Sequence, residues 1–510
     1  MADTTVDVLV VGAGPTGLML ANWLAKSDVQ VMIIDSKPGP TRESRAIVVQ
    51  ARSMEIYDQL GMIDGVLRKT TDVAWVAPGY RKKLIGRVPL GDLGTGLTPY
   101  PRLYMLEQSE NEALLVDNLR RMGGAVRWNR SLDSLEVDSA GRVVAEISGV
   151  SGGESIHARY CVGADGSNSL VRRLRKIPFE GRTNGHVFYV CDAMRVNGLA
   201  DDAVNVRPAG AEFLLTFPMG GNRHHRLIGI VRSRREADAA GVVEAAIRPW
   251  LERTFGVTWG ESTWFSTYRV HHRVAAVFRE GPFFLAGDAA HVHSPVGAQG
   301  MNTGLQDAHN LALKLADVVS GRASDASLDG YEAERRPVAR RLVSTTDRVF
   351  VAVTSRCLVA RFARRWVFPA VAGVAVRVVP RLPGASRLFG YVSQVRIHYW
   401  MSGAPLAGPR GPRGAIVGRR LPWTGENFEV LRDATWQIHV YGSSDPAIAE
   451  RIGCGLHLPV HRFRSARSSR LQVGVYYLVR PDGFVAAAAV SSEAAAAFPR
   501  ALPDRWSATS

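Results

Sequence analysis

Two kinds of hydrophobic pattern follow one another along the 510 residues of the chain. Short uninterrupted apolar runs are typical of buried parallel strands, and they occur at residues 8–11, 31–35, 160–163 and 283–288. Apolar residues at helical spacing predict helices at residues 51–60, 108–122 and 301–319. Residues 181–279 differ, because their segments are alternating or β-rich, at residues 213–217, 227–231 and 264–270. The pattern predicts an α/β fold, in which a Rossmann-like domain is split by an inserted β-rich domain.

The remaining segments complete a four-part organisation. Short strands are predicted within residues 70–106, and we expect them to contribute to the substrate side of the molecule, next to the insert. Residues 405–412 are rich in Pro, Gly and Arg and are predicted to form a linker. The alanine-rich residues 486–497 are compatible with a strand or a helix. The predicted boundaries are 1–180 with 280–345 for the Rossmann-like domain, 181–279 for the insert, 346–404 for a helical segment and 405–510 for a small α/β domain.

A glycine-rich turn joins the first two apolar runs. Its Gly-x-Gly-x-x-Gly spacing at Gly12, Gly14 and Gly17 stands between a strand and a helix, and the second strand ends in Asp35. The first glycine permits the tight turn, the second lets the backbone approach a pyrophosphate, and the third lets the helix pack on the strand. Asp35 is the candidate that binds a ribose. The unit predicts a dinucleotide site without saying which dinucleotide it holds.

Charge changes the picture in one region. The formal net charge is +16, and residues 338–425 contain fifteen Arg and a single acid, Asp347. A nucleic-acid-binding protein would interleave such charges with aromatic residues or a known module, and neither is present in the sequence. We interpret the region as a solvated, Arg-rich helical face that can attract anions or acidic membrane surfaces. The apolar stretch 366–379 is short and is interrupted by Pro369 and Arg377, which indicates a packed helix or an interface instead of a membrane span.

The start of the chain and its cysteines indicate the cellular compartment, and its histidines and cysteines give no indication of a metal site. The first strand has no basic flank and runs directly into the glycine turn, so it is not a signal peptide. His291 and His293 are interpreted as structural residues or polar lining. Four cysteines lie far apart with no Cys-x-x-Cys, which argues against a disulfide framework or zinc and predicts a cytoplasmic protein: Cys161, Cys191, Cys357 and Cys454.

Two further segments place an acid at the end of a strand. Asp165 and Gly166 follow one buried run and precede a helix start that contains Arg172. Asp288 follows Gly287 at the end of another, before a glycine-rich turn and a long helix. An acid in such a turn suits a hydrogen bond to a ribityl hydroxyl, and the helix N-terminus can stabilise the electron-rich edge of a flavin.

Taken in this order and spacing, the three segments resemble the FAD-dependent aromatic hydroxylases, the single-component (group A) flavoprotein monooxygenases, over residues 6–345. Residues 267–273 resemble the branch that hydroxylates polyketide-type and other bulky phenols. The tail, notably residues 478–483, is similar to the thioredoxin-like C-terminal domain of that branch. The tail has no redox cysteine pair, so a disulfide-reductase role is not expected.

The resemblance implies a cofactor and a set of sites. NADPH or NADH reduces FAD, oxygen adds at the flavin C4a carbon, and the hydroperoxide hydroxylates an aromatic substrate that is phenolic or polycyclic. The backbone around Pro295, Gly297 and Asn302 is implied to border the flavin ring. The implied cofactor-binding residues are Gly12, Gly14, Pro15, Thr16, Gly17, Asp35, Arg45, Gln108, Asp165, Gly166, Arg172, Gly287, Asp288, Gly300, Met301 and Asn302.

Several alternatives stay open. The same fold can support Baeyer–Villiger insertion, epoxidation or antibiotic inactivation, and a flavin-binding protein without turnover is the alternative from another class. The partners expected are the aromatic substrate and O2, with no nucleic acid, and a homodimer is left open. A base that ionises a phenol would be Tyr268, Arg269 or Glu212. One further set lines an apolar pocket or belongs to plain core: Phe213, Leu215 and Phe217.

Overall fold

The computed structural model describes residues 4–41, 46–90, 94–149, 152–210, 212–230, 243–293, 299–355, 357–378, 389–390, 393–399, 416–464 and 470–506. Within them the strands are β1 Thr4–Val11, β2 Val31–Asp35, β3 Val48–Val49, β4 Thr71–Val73, β5 Trp75–Tyr80, β6 Lys83–Leu84, β7 Val88–Pro89, β8 Leu103–Met105, β9 Val126–Trp128, β10 Arg130–Val137, β11 Val143–Gly149, β12 Glu154–Gly163, β13 Phe179–Ala193, β14 Ala203–Ala209, β15 Glu212–Pro218, β16 His225–Ile230, β17 Ser262–Ala275, β18 Arg279–Glu280, β19 Phe283–Leu285, β20 His291–Val292, β21 Gln437–Tyr441, β22 Val460–Phe463, β23 Val475–Val479 and β24 Val485–Val490.

The α-helices of the same residues are α1 Pro15–Lys26, α2 Ala51–Gln59, α3 Ile63–Lys69, α4 Gln108–Arg121, α5 Leu170–Leu174, α6 Glu244–Phe255, α7 Gly300–Val319, α8 Asp329–Thr354, α9 Leu358–Phe362, α10 Phe368–Val378, α11 Pro446–Leu456 and α12 Ser491–Ala497.

The first sheet has eight strands and the strand order of a Rossmann fold. Its parallel part runs β9-β2-β1-β12-β19. The first three parallel strands of the chain (β1, β2 and β9) therefore lie in succession on one side, and the later strands β12 and β19 lie on the other side of β1. The strands β10 and β11 add an antiparallel extension on β12. The topological switch point therefore lies between β1 and β12, where a parallel sheet opens a crevice for ligands. This finding confirms the predicted α/β class.

The second sheet is the β-rich insert, and it borrows strands from outside residues 181–279. Its nine strands follow the order β20-β17-β13-β16-β15-β14-β5-β6, with β7 paired to β5. The strands β5, β6 and β7 come from the stretch 75–89, and β20 comes from the loop after β19. Because β20 pairs with β17, the second sheet is joined directly to the loop that carries Asp288.

The C-terminal unit is a four-stranded mixed sheet in the order β22-β21-β23-β24. The strands β21 and β22 are parallel and are connected by α11, whereas β23 and β24 form an antiparallel pair that continues into α12. Apolar clusters cover both of its faces. The ambiguous alanine-rich stretch is both structures in succession, because β24 ends at Val490 and α12 begins at Ser491.

A turn of this unit docks on the helices behind the cleft. Arg480 makes two bonds to the carboxylate of Glu334, at 2.6 and 3.0 Å, and two to that of Asp482, at 2.7 and 3.1 Å. Lys314 on α7 adds a bond of 2.9 Å to Glu334, and Arg52 on α2 donates to the Asp482 carbonyl at 2.7 Å. The bonds to Glu334 and Arg52 join the C-terminal unit to α8 and α2, and Lys314 links the same carboxylate to α7.

Acid is expected to weaken this docking through Glu334. Burial acts to raise its pKa, but Arg480 and Lys314 outweigh burial and hold the pKa well below the ordinary value of 4.5. The unfolded chain therefore takes up the proton first, so the stability from Glu334 is present above pH 4.5 and is lost as the pH falls toward the folded pKa. Urea unfolding between about pH 6 and pH 3.5 measures the effect.

The matched variant is Glu334→Gln, which removes the titrating group. We expect the free energy of unfolding to fall more steeply with acid in the wild type than in Glu334→Gln, by up to about 1.4 kcal/mol per pH unit. Parallel pH profiles for the two proteins would contradict the depressed pKa of Glu334.

Candidate functional site

The glycine turn lies at the switch point, and each glycine has a different steric reason to be there. Gly12 has φ +104°, and a Cβ on it would lie 2.4 Å from the Ala164 carbonyl oxygen. A Cβ on Gly17 would lie 1.9 Å from the carbonyl oxygen of Gly12. A Cβ on Gly14 would meet no described protein atom within 4 Å, and Gly14 lines the cleft. Two glycines thus close the turn, while the third leaves room for a ligand.

Asp35 reaches from the end of β2 to the glycine turn. Its carboxylate accepts from the Ala13 amide at 2.7 Å and from the Lys37 amide at 2.8 Å. Each carboxylate oxygen has a second lone pair, so these bonds orient the group and leave acceptor capacity toward the cleft. Lys37 also lines the cleft, two residues after Asp35, although nothing in the sequence pattern marks it as a site residue.

Asp165 caps α5 and retains an unsatisfied oxygen. Its Oδ2 accepts from the Leu170 and Val171 amides, at 2.6 and 3.2 Å. Its Oδ1 is buried and has no hydrogen-bond partner among the described residues. Burial raises the pKa of Asp165, while the Ser169 hydroxyl and the amide donors act in the opposite direction. A buried acceptor without a donor is costly, so this atom fits a hydroxyl donor on a bound ligand.

Arg172 lies behind the wall of the cleft. Its guanidinium donates to the carbonyls of Ser167 and Ala289, both at 2.8 Å, and stands 3.9 Å from the ring centre of Phe179. The side chain therefore ties the turn after β12 to the turn after β19. In this arrangement Arg172 positions two cleft loops, and direct contact with a cofactor stays a prediction.

The turn after β19 packs against the start of α1. A Cβ on Gly287 would lie 2.4 Å from Thr16 Oγ1, and one on Gly304 would lie 2.3 Å from the same atom. Only glycines allow the two helix starts to approach this closely. Asp288 is exposed and lines the cleft next to this contact.

The N-terminus of α7 lies at the cleft. Thr303 donates its amide to the Gln299 carbonyl at 2.9 Å, so the positive end of the helix dipole lies at residues 300–302. Gly300 and Met301 line the cleft. The buried side chain of Asn302 accepts from the Gln50 amide and donates to the Val48 carbonyl, at 2.8 and 2.9 Å, which anchors α7 to the segment before α2.

Gln108 closes another wall of the cleft. Its side-chain amide donates to the buried carboxylate of Glu112 at 2.9 Å, and its backbone amide donates to the Ala46 carbonyl at 3.1 Å. The structure brings together eleven of the implied residues at the cleft: Gly12, Gly14, Pro15, Thr16, Asp35, Gln108, Asp165, Gly166, Asp288, Gly300 and Met301. Three others, Arg45, Pro295 and Gly297, lie outside the described residues, and their roles stay predictions.

The cleft continues as one cavity of about 890 Å³ to the second sheet. There its wall is largely apolar and includes Tyr268, whose ring stacks on Phe188 with centres 5.5 Å apart. Arg269 and His293 add polar groups to the same space. The apolar lining residues from this sheet and its edge strand are Val190, Phe217, Ile228, Val270 and Val292.

Two sequence interpretations of the insert are corrected or refined. Glu212 cannot act as a base in the cavity, because it lies in a separate surface pocket with Lys82 and Arg253. The stripe on β15 divides: Phe213 packs in the core, and Phe217 reaches the cavity wall. The register of β15 against its neighbours decides this division, and the hydrophobic pattern does not contain that register.

A buried ion pair supports the turn after β19 from below. Asp307 on α7 bonds to Arg335 Nε at 2.7 Å and to His291 Nε2 at 2.6 Å, and the side chains of Asp307 and Arg335 are 0% exposed. Asp307 also accepts the Gly287 amide at 3.2 Å. Burial acts to raise the pKa of Asp307, but Arg335 and His291 hold it below its ordinary value. His291 is thus structural, and Asp307 and Arg335 gave no sequence signal.

Comparisons with known proteins agree with this geometry. Residues 5–346 match the family described as FAD binding domain. The chain is 32% identical to the 6-methylpretetramide 4-monooxygenase of Streptomyces rimosus, over 94% of this chain and 90% of that protein. It is similar to the structure of aklavinone-11 hydroxylase with FAD and aklavinone, with a TM-score of 0.78, 26% identity and coverage of 98% and 100%. It is also similar to the structure of the anhydrotetracycline hydroxylase of Streptomyces rimosus, with a TM-score of 0.77, 27% identity and an alignment that covers 99% of each chain.

None of the helices in the described ranges combines the length and the apolar character that a membrane span requires.

Proposed function

The chain belongs to the FAD-binding-domain family, and we propose that it hydroxylates a polycyclic aromatic compound held against the second sheet. As an enzyme of this family it is an FAD-dependent monooxygenase that acts on aromatic compounds and uses NAD(P)H as the reductant. The finer assignments, which are the polycyclic substrate, O2 as the oxygen donor and the residues that bind each group, are proposals.

One observation carries the proposal. A single cavity of about 890 Å³ joins the glycine turn, the two aspartate turns and the apolar wall of the second sheet. Ligand sites are typically concave and mostly apolar, with a few polar groups that fix orientation. The relatives support a polycyclic substrate, because their names specify tetracycline-type and aklavinone ring systems.

The residues of the cleft fit FAD. The open space at Gly14 admits a pyrophosphate at the N-terminus of α1, where backbone amides favour an anion. Asp35 would accept a bond from the adenosine ribose, and the unsatisfied Oδ1 of Asp165 would accept one from a hydroxyl of the cofactor. Asp288 and the start of α7 would then face the ribityl chain and the flavin ring. This assignment of residues remains our proposal.

Bound FAD supplies hydride uptake from NAD(P)H and the activation of O2 for oxygen transfer. The protein's own part is to bind, to orient and to exclude water. The dipole of α7 stabilises negative charge that develops near residues 300–302. The apolar wall with Phe217 and Ile228 keeps water from the reacting centre, and Tyr268 supplies a hydroxyl within the same cavity.

A thioredoxin-like C-terminal domain is supported by its connectivity. A parallel βαβ unit followed by an antiparallel ββα unit, with strand order β22-β21-β23-β24, is typical of that fold. Cys454 is the one cysteine of the sequence after residue 405, so no redox pair is available within this segment. We propose a structural role, in which the Arg480 turn supports α7 from behind the cleft.

The purified protein tests the proposed function directly. We expect a yellow protein that releases FAD on denaturation and oxidises NADPH or NADH faster when a tetracyclic phenol is added. A product heavier by one oxygen, with the new hydroxyl located by NMR, establishes hydroxylation. An ester product would instead indicate Baeyer–Villiger insertion, and an epoxide product would indicate epoxidation. A colourless protein that cannot be reconstituted with FAD would overturn the assignment.

Ile228→Trp is expected to narrow the cavity. Ile228 is 7% exposed and lines the apolar wall, so the larger ring projects into the substrate space. We expect KM for a tetracyclic substrate to rise on the order of tenfold or more, which corresponds to a loss of about 1.4 kcal/mol of binding, while FAD content stays constant. A single-ring phenol is the size control, because it should be affected much less. Equal effects on both substrates would argue against this wall as the substrate site.

A further inference from the structure

Eight of the fourteen exposed large apolar residues in the described part of the chain lie on the helical segment after α8. The helices α9 and α10 are joined by a π turn, Ala363–Val367, and carry large apolar side chains that point outward. Isolated exposed apolar residues are ordinary, but a contiguous set marks an interaction surface. The set, named here the apolar stripe, is Leu358 at 78% exposure, Val359 at 78%, Phe362 at 61%, Trp366 at 58%, Val367 at 48%, Val371 at 59%, Val374 at 58% and Val378 at 39%.

The π turn brings these residues onto one face. A π turn contains one residue more than an α turn, which rotates the following residues by about 100° relative to an uninterrupted α-helix. Without that rotation, the apolar residues of α10 would lie on a different face from those of α9. The π turn therefore extends the apolar stripe over both helices.

The opposite face is fixed to the second sheet. Arg364 donates to the carbonyls of Gly210 and Ser355, and it is 7% exposed. Ala372 is buried, and Gly373 faces the side chain of Ile85. The segment thus has an inner side that holds it in place and an outer side that no described residue covers.

The charge around the stripe selects its occupant. Residues 357–378 contain three Arg besides the buried Arg364, and no acid, within the longer region that has fifteen Arg and one Asp. A second copy joined by a two-fold axis would bring this positive region against itself, which is unfavourable. An anionic lipid surface offers negative headgroups for the arginines and an acyl boundary for the apolar side chains. Amphipathic helices that combine Trp, Phe and Leu with Arg bind at that boundary.

We propose that the apolar stripe docks on the surface of an anionic lipid bilayer, with α9 and α10 lying in the plane of the interface. Trp366 and Phe362 enter the boundary between headgroups and acyl chains, and the exposed Arg365 contacts the headgroups. The attachment is peripheral and reversible, because the segment is too short and too charged to span a bilayer. This inference does not depend on the proposed substrate or on the redox chemistry.

Vesicle flotation of the FAD-loaded full-length protein tests the proposal. We expect the wild type to float with vesicles that contain phosphatidylglycerol, to bind pure phosphatidylcholine vesicles at least tenfold less, and to detach as salt is raised. The double variant Phe362→Asp with Val371→Asp should lose at least nine tenths of the binding. Its residues are exposed, so its FAD content and NAD(P)H oxidation without vesicles should match the wild type.

Val473→Asp is the matched control, because Val473 is 62% exposed on the C-terminal unit. It introduces one carboxylate outside the stripe, against the two of the stripe variant, and its vesicle binding should equal that of the wild type. The proposal is overturned if wild-type protein does not float with anionic vesicles, or if Val473→Asp reduces binding as much as the stripe variant. It is also overturned if sedimentation shows a dimer that the stripe variant dissociates while vesicle binding is absent, since a second copy would then cover the stripe.

Discussion

Gly14→Val is expected to abolish FAD binding while the apoprotein stays folded. The position has space for a side chain, because a Cβ there would meet no described atom within 4 Å. That space belongs to the cleft, so the valine would occupy the volume that the pyrophosphate needs beside the amides of α1. We expect the Kd for FAD to rise at least a hundredfold, or about 2.7 kcal/mol, and NAD(P)H oxidation to fall with it. Flavin fluorescence titration of the apoprotein measures the change.

Gly17→Ala provides the comparison that separates binding from folding. Its added Cβ would lie 1.9 Å from the Gly12 carbonyl oxygen, so α1 must move away from β1. Both variants should lose FAD, but only Gly17→Ala should unfold at a clearly lower urea concentration as apoprotein. If Gly14→Val binds FAD with wild-type affinity, the cofactor does not pass over this turn, and the assignment of the cleft is wrong.

Much of the first domain could be predicted because its function constrains local sequence. The turn at Gly12 needs φ +104° and a close backbone approach, and both requirements appear directly as glycines at fixed spacing. The acids Asp35, Asp165 and Asp288 stand at the ends of buried strands, and the carboxyl ends of parallel strands lie at the same edge of their sheet. Strand ends and helix starts are local features, so the pattern indicates them without knowledge of the tertiary structure.

The cavity wall could not be predicted in the same way. Whether Phe213 or Phe217 faces the cavity depends on how β15 pairs with β14 and β16, and Glu212 was a wrong candidate for that reason. The same limit applies to the C-terminal unit, where Arg480 meets a carboxylate 146 residues earlier in the chain. Such contacts depend on sheet order and domain docking, which a single sequence does not specify.

The π turn illustrates a third kind of limit. The sequence indicated an apolar segment that was either packed or an interface, with Pro369 and Arg377 as interruptions. The outward direction of Phe362 and Val371 follows from one extra residue in the turn between two helices. Helical periodicity assumes an uninterrupted helix, so it cannot assign both residues to one face.

Asp307→Asn is expected to be the most destabilising single change at the site. Asp307 and Arg335 are both 0% exposed and bond at 2.7 Å, so the variant leaves the Arg335 charge buried without a counter-charge. Removing one partner of a buried pair typically costs about 3–5 kcal/mol. Because Asp307 also holds the Gly287 amide and His291, the turn that carries Asp288 should loosen, and FAD affinity should fall as well. Urea unfolding and flavin titration measure the two effects.

Asp117→Asn is the matched control, since it removes the carboxylate of an Asp–Arg pair whose side chains are 67% and 63% exposed. Its unfolding midpoint and FAD affinity should remain at wild-type values. Adding Arg335→Met to Asp307→Asn removes the uncompensated charge, so the double variant should recover part of the lost stability even though it has one native contact fewer. If the double variant is instead less stable than Asp307→Asn by the full cost of a second independent loss, burial of the arginine charge is not the cause. The support beneath the cleft would then come from packing of α7 and α8 alone.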